Sequence, residues 1–205
     1  MTSPLKIGLA TGMHSVVAAY IKEAIECAAK KAQREMTILE CHIPMEKGQE
    51  KAREKAARES IQALEQLAVD VIVLGDYRSE LLIPALRTET ATPILSFLEV
   101  GKRFILEHQI HRIGLVGNVF PLSYFQEAYP EIEFLEAEST SECVNTDEVD
   151  VICQYTDRLT GTGCEIYFPN CGRIAGQVPV LLSLNYPFLD IFRLGAESLF
   201  QKKIS

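Results

Sequence analysis

Two stretches of this chain end an apolar run in groups able to move protons. VDVIVLGDYRSELLIPALR, Val69 to Arg87, passes from β-branched and aliphatic residues into Gly75, Asp76, Tyr77, Arg78 and Ser79, after which a helical pattern resumes. EIYFPNCGRI, Glu165 to Ile174, leads in the same way into Asn170 and Cys171. A carboxylate and a thiol can each take up or return a proton when their surroundings tune them to it. Each residue also has a plainer use. Asp76 is a base, or else it or Ser79 caps the helix starting near Glu80. Arg78 holds a substrate carboxylate through a bidentate pair, or pairs with Asp76 or Glu80 at the surface. Cys171 is an acid–base thiol or a small buried residue in a turn.

The remaining chemistry-bearing types are less concentrated. Six cysteines occur with no C-x-x-C pair, so a zinc ribbon and a thioredoxin-type motif are not expected. Cys27 and Cys153 fall at helical apolar positions and are expected to fill core space. His14 and His42 lie at strand ends, where either could tune a thiol or bind an anion. His108 and His111 straddle a helix end and a strand start, an arrangement unsuited to a metal. No glycine-rich phosphate fingerprint is present.

The elements that must carry these groups follow from periodicity. Strands are expected at Lys6–Ala10, Met36–Ile43, Val69–Gly75 and Pro93–Phe97, with helices at Ser15–Glu35, Gln49–Leu67, Glu80–Arg87 and Val100–His108 between or after them. The pattern restarts with strand Arg112–Gly117, a short helix near Tyr124, strand Glu131–Leu135, a helix over Asp147–Leu159, strands Glu165–Phe168 and Val178–Leu182, and a closing helix near Pro187. Alternation of this kind predicts parallel sheets covered on both faces, an α/β fold.

The halves also resemble each other. KIGLATG (Lys6–Gly12) matches RIGLVGN (Arg112–Asn118), and TPILSF (Thr92–Phe97) matches VPVLLSL (Val178–Leu184), which predicts an internal duplication with a shortened second copy. The expected lobes are 1–98 and 99–205, each doubly wound, related by a pseudo-two-fold, with a ligand crevice at their strand C-termini. By position, Thr11, Met13, His14, His42, Tyr77, Arg78, Ser79, Asn118 and Asn170 are candidate substrate contacts there.

Composition removes other classes. The net charge is −8 and the basic residues are interspersed with acids, as in EKGQEKAREKAARES (Glu46–Ser60), which reads as a solvated helix face without chemistry. Nucleic acid and membrane are not expected partners. With 47% hydrophobic residues and no secretory pattern at the start, a cytoplasmic globular protein is expected.

The segments IGLATGMHSVVAAYIKEAIE, ILECHIP, VDVIVLGDYRSEL and IHRIGLVGNVFPLSYFQEAYPEIEF, in this order, resemble the aspartate/glutamate racemase superfamily, particularly its aspartate racemase branch. They match its opening strand, Gly-Met loop and tyrosine-bearing helix, its second strand, its third strand with the catalytic loop, and the opening of its second domain. The likeness is good over Lys6–Leu135 and looser beyond. The resemblance implies an enzyme without cofactor, acting on a small carboxylate or amino acid and often dimeric, in which two cysteines work from opposite faces of the carbon next to a carboxylate. This chain departs from that pattern. Where the family has its first cysteine, within Ala-Cys-Asn-Thr or a close variant, this chain has Asp76. In the second lobe either Asn170 or Cys171 matches, depending on a one-residue register choice.

Three functions follow as expectations. The first is a racemase or isomerase using Asp76 and Cys171. The second is a decarboxylase-like enzyme using Cys171 alone. The third is a module that binds a small acid without turnover.

Overall fold

The computed structural model describes residues 3–11, 15–43, 50–137 and 148–201. Seven strands and eight α-helices occur among them, in an α/β arrangement with two all-parallel sheets. The first sheet has the order β2-β1-β3-β4, from β1 (Leu5–Thr11), β2 (Met36–His42), β3 (Val71–Leu74) and β4 (Ile94–Leu95). Ile7, Leu9, Ile72 and Val73 are wholly buried, as expected of parallel strands covered on both faces. Helix α1 (Ser15–Ala32) presents Val17, Ile21, Ala24 and Ala28 on one buried stripe. Helix α2 (Glu50–Gln66) buries Ala57, Ile61 and Leu64. A Cβ at Gly8 would lie 3.0 Å from a Leu64 methyl, so the glycine permits the close approach of α2 to β1. After β3 the chain makes a 3-10 turn over Tyr77–Leu82 and then α3 (Ile83–Leu86).

The second sheet has the order β6-β5-β7, from β5 (Arg112–Val116), β6 (Glu133–Glu136) and β7 (Ile166–Pro169). Its helices are α5 (Leu122–Ala128), α6 (Val149–Leu159) and α7 (Gly172–Ser183). A single parallel bridge from Tyr167 to Phe188 extends the free edge of β7. This bridge stands where β4 stands in the first sheet: Ile72 N donates to Pro93 O at 2.8 Å, and Tyr167 N donates to Pro187 O at 2.9 Å.

The predicted strand at Val178–Leu182 is therefore corrected. Those residues belong to α7, where Ile174, Ala175, Val178 and Leu181 are buried at helical spacing and Pro179 and Val180 face outward. The true counterpart of TPILSF is the segment around Pro187, not VPVLLSL. The second copy is still shorter, but the shortening lies almost wholly between β5 and β7. Gly8 precedes its partner Ile72 by 64 positions, whereas Gly114 precedes Tyr167 by 53.

Contacts divide the chain into two compact units, Met1–Leu98 with Phe192–Ser205, and Glu99–Ile191. The helix after the fourth strand position thus changes company in both copies. Helix α4 (Phe97–Glu107) starts in the first unit and continues in the second, where Gly101 packs near Phe168 and Leu189. Helix α8 (Ile191–Ser198) groups almost entirely with the first unit. There the Phe192 ring meets Phe97 edge-on at 4.8 Å and Tyr20 at 5.9 Å.

Candidate functional site

In the first unit the candidate groups gather beyond the C-terminal ends of β1 and β3. Asp76 sits at the N-cap of the 3-10 turn in extended conformation, yet its carboxylate makes no capping bond to the backbone. It instead accepts a hydrogen bond from Arg53 Nε at 2.8 Å and one from Ser79 Oγ at 3.0 Å, both on Oδ2. All three residues are buried. A guanidinium and carboxylate this dry need each other, because either one left alone would be an uncompensated charge.

Arg53 is the member that sequence reading missed, since it lies in the mixed-charge run taken as a solvated face. The signal was present. Positions 53, 57, 60 and 64 recur at i, i+4, i+7 and i+11, so Arg53 and Ser60 share the stripe of Ala57 and Leu64, whereas Arg58 and Glu59 do not.

Thr11, Arg53, Ser60, Asp76 and Ser79 line a cavity of about 20 Å³. That is room for about one water. At its rim, Thr11 Oγ1 lies 3.1 Å from His42 Nδ1, joining the ends of β1 and β2.

Two other expected contacts are placed differently. Tyr77 is a core residue, 4% exposed and edge-on to Phe192. Arg78 is exposed, and the cation beside Asp76 is Arg53, not Arg78. Glu80 is also not its surface partner, since the buried Glu80 carboxylate accepts from Ser96 Oγ at 2.6 Å and from the amides of Phe97 and Leu98 at 3.2 and 3.3 Å, capping α4. Met13 and His14 lie outside the described residues.

In the second unit Cys171 takes the N-cap of α7, extended in conformation and 2% exposed. Asn118 is exposed on the loop after β5. Asn170, expected as a substrate contact, is fully buried with both ends of its amide engaged by Gly117 and Phe120. Cys27, expected in the core, is exposed, and Cys153 is partly buried.

The sheet register settles the one-residue ambiguity. Ile7 pairs with Val71 and Ala10 with Leu74, while Ile113 pairs with Ile166 and Val116 with Pro169. With β1 laid on β5 by their shared Ile-Gly-Leu, Leu74 corresponds to Pro169, Gly75 to Asn170 and Asp76 to Cys171. The next bond agrees: Gly75 N donates to Ala10 O and Asn170 N to Val116 O, each at 2.7 Å. Chemically, a paired carboxylate and a thiol stand at the same point of two copies of one frame.

No family model matches the sequence, and no curated protein matches it. Solved structures do. The chain is similar to a putative Asp/Glu racemase from Yersinia pestis, with a TM-score of 0.74 and 16% identity over 96% of this chain and 97% of that one. An aspartate racemase homologue from Pyrococcus horikoshii gives 0.69 and 13% over 95% and 96%. Glutamate racemase from Francisella tularensis, in complex with D-glutamate, gives 0.67 and 11% over 96% and 80%. Arylmalonate decarboxylase and a maleate cis-trans isomerase from Nocardia farcinica share the fold. The chain has the fold of the aspartate/glutamate racemase superfamily.

Proposed function

We propose that the protein is a cofactor-independent isomerase of the racemase type, moving a proton at the carbon next to a carboxylate, with Asp76 and Cys171 as its two proton-transfer groups. The observation that carries this reading is their equivalence in the repeated frame. Inversion at carbon needs one group to remove a proton and another to return it on the opposite face, and a duplicated fold supplies two equivalent positions. In this reading the Asp76 carboxylate, held by Arg53 and Ser79, is the proton acceptor. Because Arg53 and Ser79 both bond Oδ2, Oδ1 is the oxygen to take the proton. Cys171 as a thiol then supplies the other proton, and the reverse reaction uses the same groups in opposite roles. The substrate is a small carboxylate, of the kind named for the glutamate racemase complex, and Thr11, His42 and Asn118 are the candidate contacts.

A second reading is favoured by one observation, the engagement of Asp76 by Arg53. In it, Asp76 is a fixed anion and Cys171 alone protonates an enediolate left by loss of carbon dioxide, as the likeness to arylmalonate decarboxylase suggests.

Proton NMR of amino acids, dicarboxylic acids and substituted malonates in D₂O separates the two. Loss of the α-proton signal of a chiral acid supports the isomerase. Turnover of a malonate alone, abolished in Cys171→Ser, supports the decarboxylase. Binding with neither reaction would contradict both.

A further inference from the structure

We infer that Asn170 is the positioning residue of the Cys171 half of the site, a clamp that closes the loop after β5 over the thiol. The residue is fully buried and uses every polar group it owns. Its side-chain Oδ1 accepts from Phe120 N at 3.0 Å, and its Nδ2 donates to Phe120 O at 2.8 Å and to Gly117 O at 3.4 Å. Its main chain donates to Val116 O at 2.7 Å and accepts from Val119 N at 2.9 Å. The loop Gly117–Phe120 has no sheet or helix bonds of its own to hold it, and one side chain supplies what a ladder would.

The clamp bears directly on Cys171. Gly117 has φ +105, and a Cβ there would stand 2.8 Å from Asn170 O and 2.9 Å from Cys171 Cβ. Only a glycine lets the loop lie this close to the thiol residue. The equivalent position in the first unit is Gly75, which has no side chain to make such a clamp. The two copies therefore hold their reactive positions by different means: Asp76 is held through its own carboxylate by Arg53 and Ser79, and Cys171 through the residue before it.

Asn170→Asp tests this with little change of shape. It keeps an acceptor for Phe120 N but turns the second side-chain atom from donor to acceptor, facing the carbonyls of Gly117 and Phe120. A buried donor lost against two carbonyls opens the loop, and alkylation of Cys171 by iodoacetamide, followed by peptide mass spectrometry, is expected to rise about tenfold or more. Exposed Cys27 serves as the internal reference. Local opening and global unfolding differ in urea, because only the latter exposes enough surface to depend steeply on denaturant. The clamp predicts that the added reactivity of Cys171 is nearly independent of urea at low concentration. An unchanged Cys171 rate, or a rise with the full urea dependence of unfolding, would overturn it.

Wild-type protein gives a second test should the variant fail to fold. The amides of Val119 and Phe120 are expected to resist hydrogen exchange although they lie in a loop, and free exchange at both would refute the clamp. Its catalytic meaning rests on the proposed role of Cys171, whereas these readouts do not, so failure of either idea is visible separately.

Discussion

Asp76 and Cys171 each follow a residue whose amide donates, at 2.7 Å, to the carbonyl at the matching place on the neighbouring strand: Gly75 to Ala10, and Asn170 to Val116. Each then opens a helical turn from an extended conformation. Equivalent backbone thus carries unlike side chains, and the consequences of that difference can be measured.

Arg53 and Asp76 form a buried pair, and removing one partner leaves the other as an uncompensated charge. Arg53→Met is expected to lose about 3–5 kcal/mol in urea denaturation, and the double variant Arg53→Met/Asp76→Leu markedly less than the sum of the single changes. Strict additivity would mean that the pair is not formed.

Glu80 is the counterpart case of a carboxylate used for structure. Glu80→Ala removes the acceptor for Ser96 Oγ and for two amides at the start of α4. It should cost about 1–3 kcal/mol with no selective effect on proton exchange. A loss of exchange in a fully stable Glu80→Ala protein would move Glu80 into the reacting set.

Gly117→Ala places a side chain where the backbone of Asn170 stands and at a φ that favours glycine. A loss of about 1–3 kcal/mol is expected, together with faster alkylation of Cys171. A neutral result would show that the loop has room to move.

The exposed Glu165 gives a pH prediction. Its carboxylate accepts from the amides of His111 and Arg112, which hold it below its ordinary range. A folded pKa below the unfolded value of about 4.3 means stabilisation that is fully present above that pH and lost as pH falls through the folded value. The stability difference between wild type and Glu165→Gln should therefore be full at neutral pH and shrink in acid. A constant difference would contradict the two amide bonds.

Most of this frame was legible because its strands are short β-branched runs ending in Gly, Asp, Asn or Cys, and its helices carry apolar stripes. Two features were not. IYFP and VIVL remain apolar under a one-residue slip, so only the hydrogen bonds from β5 and β1 distinguish Cys171 from Asn170 as the partner of Asp76. VPVLLSL reads as a buried strand because a short apolar run has no period of its own, and its helical register appears only with Ile174 and Ala175 included. Arg53 was hidden by its neighbours: six other charges among Glu50–Glu59 suggest solvent on every side, while the helical period turns this one inward.

The central claim is the proposal that Asp76 and Cys171 are the two proton-transfer groups of one isomerisation. Its most direct test follows each enantiomer of the exchanging acid separately in D₂O, by NMR for deuterium uptake and by chiral chromatography for inversion. Asp76→Asn and Cys171→Ser should each abolish inversion while retaining deuterium exchange of one enantiomer, the opposite one in each variant. Undiminished inversion in Asp76→Asn, or exchange of both enantiomers in Cys171→Ser, would contradict it.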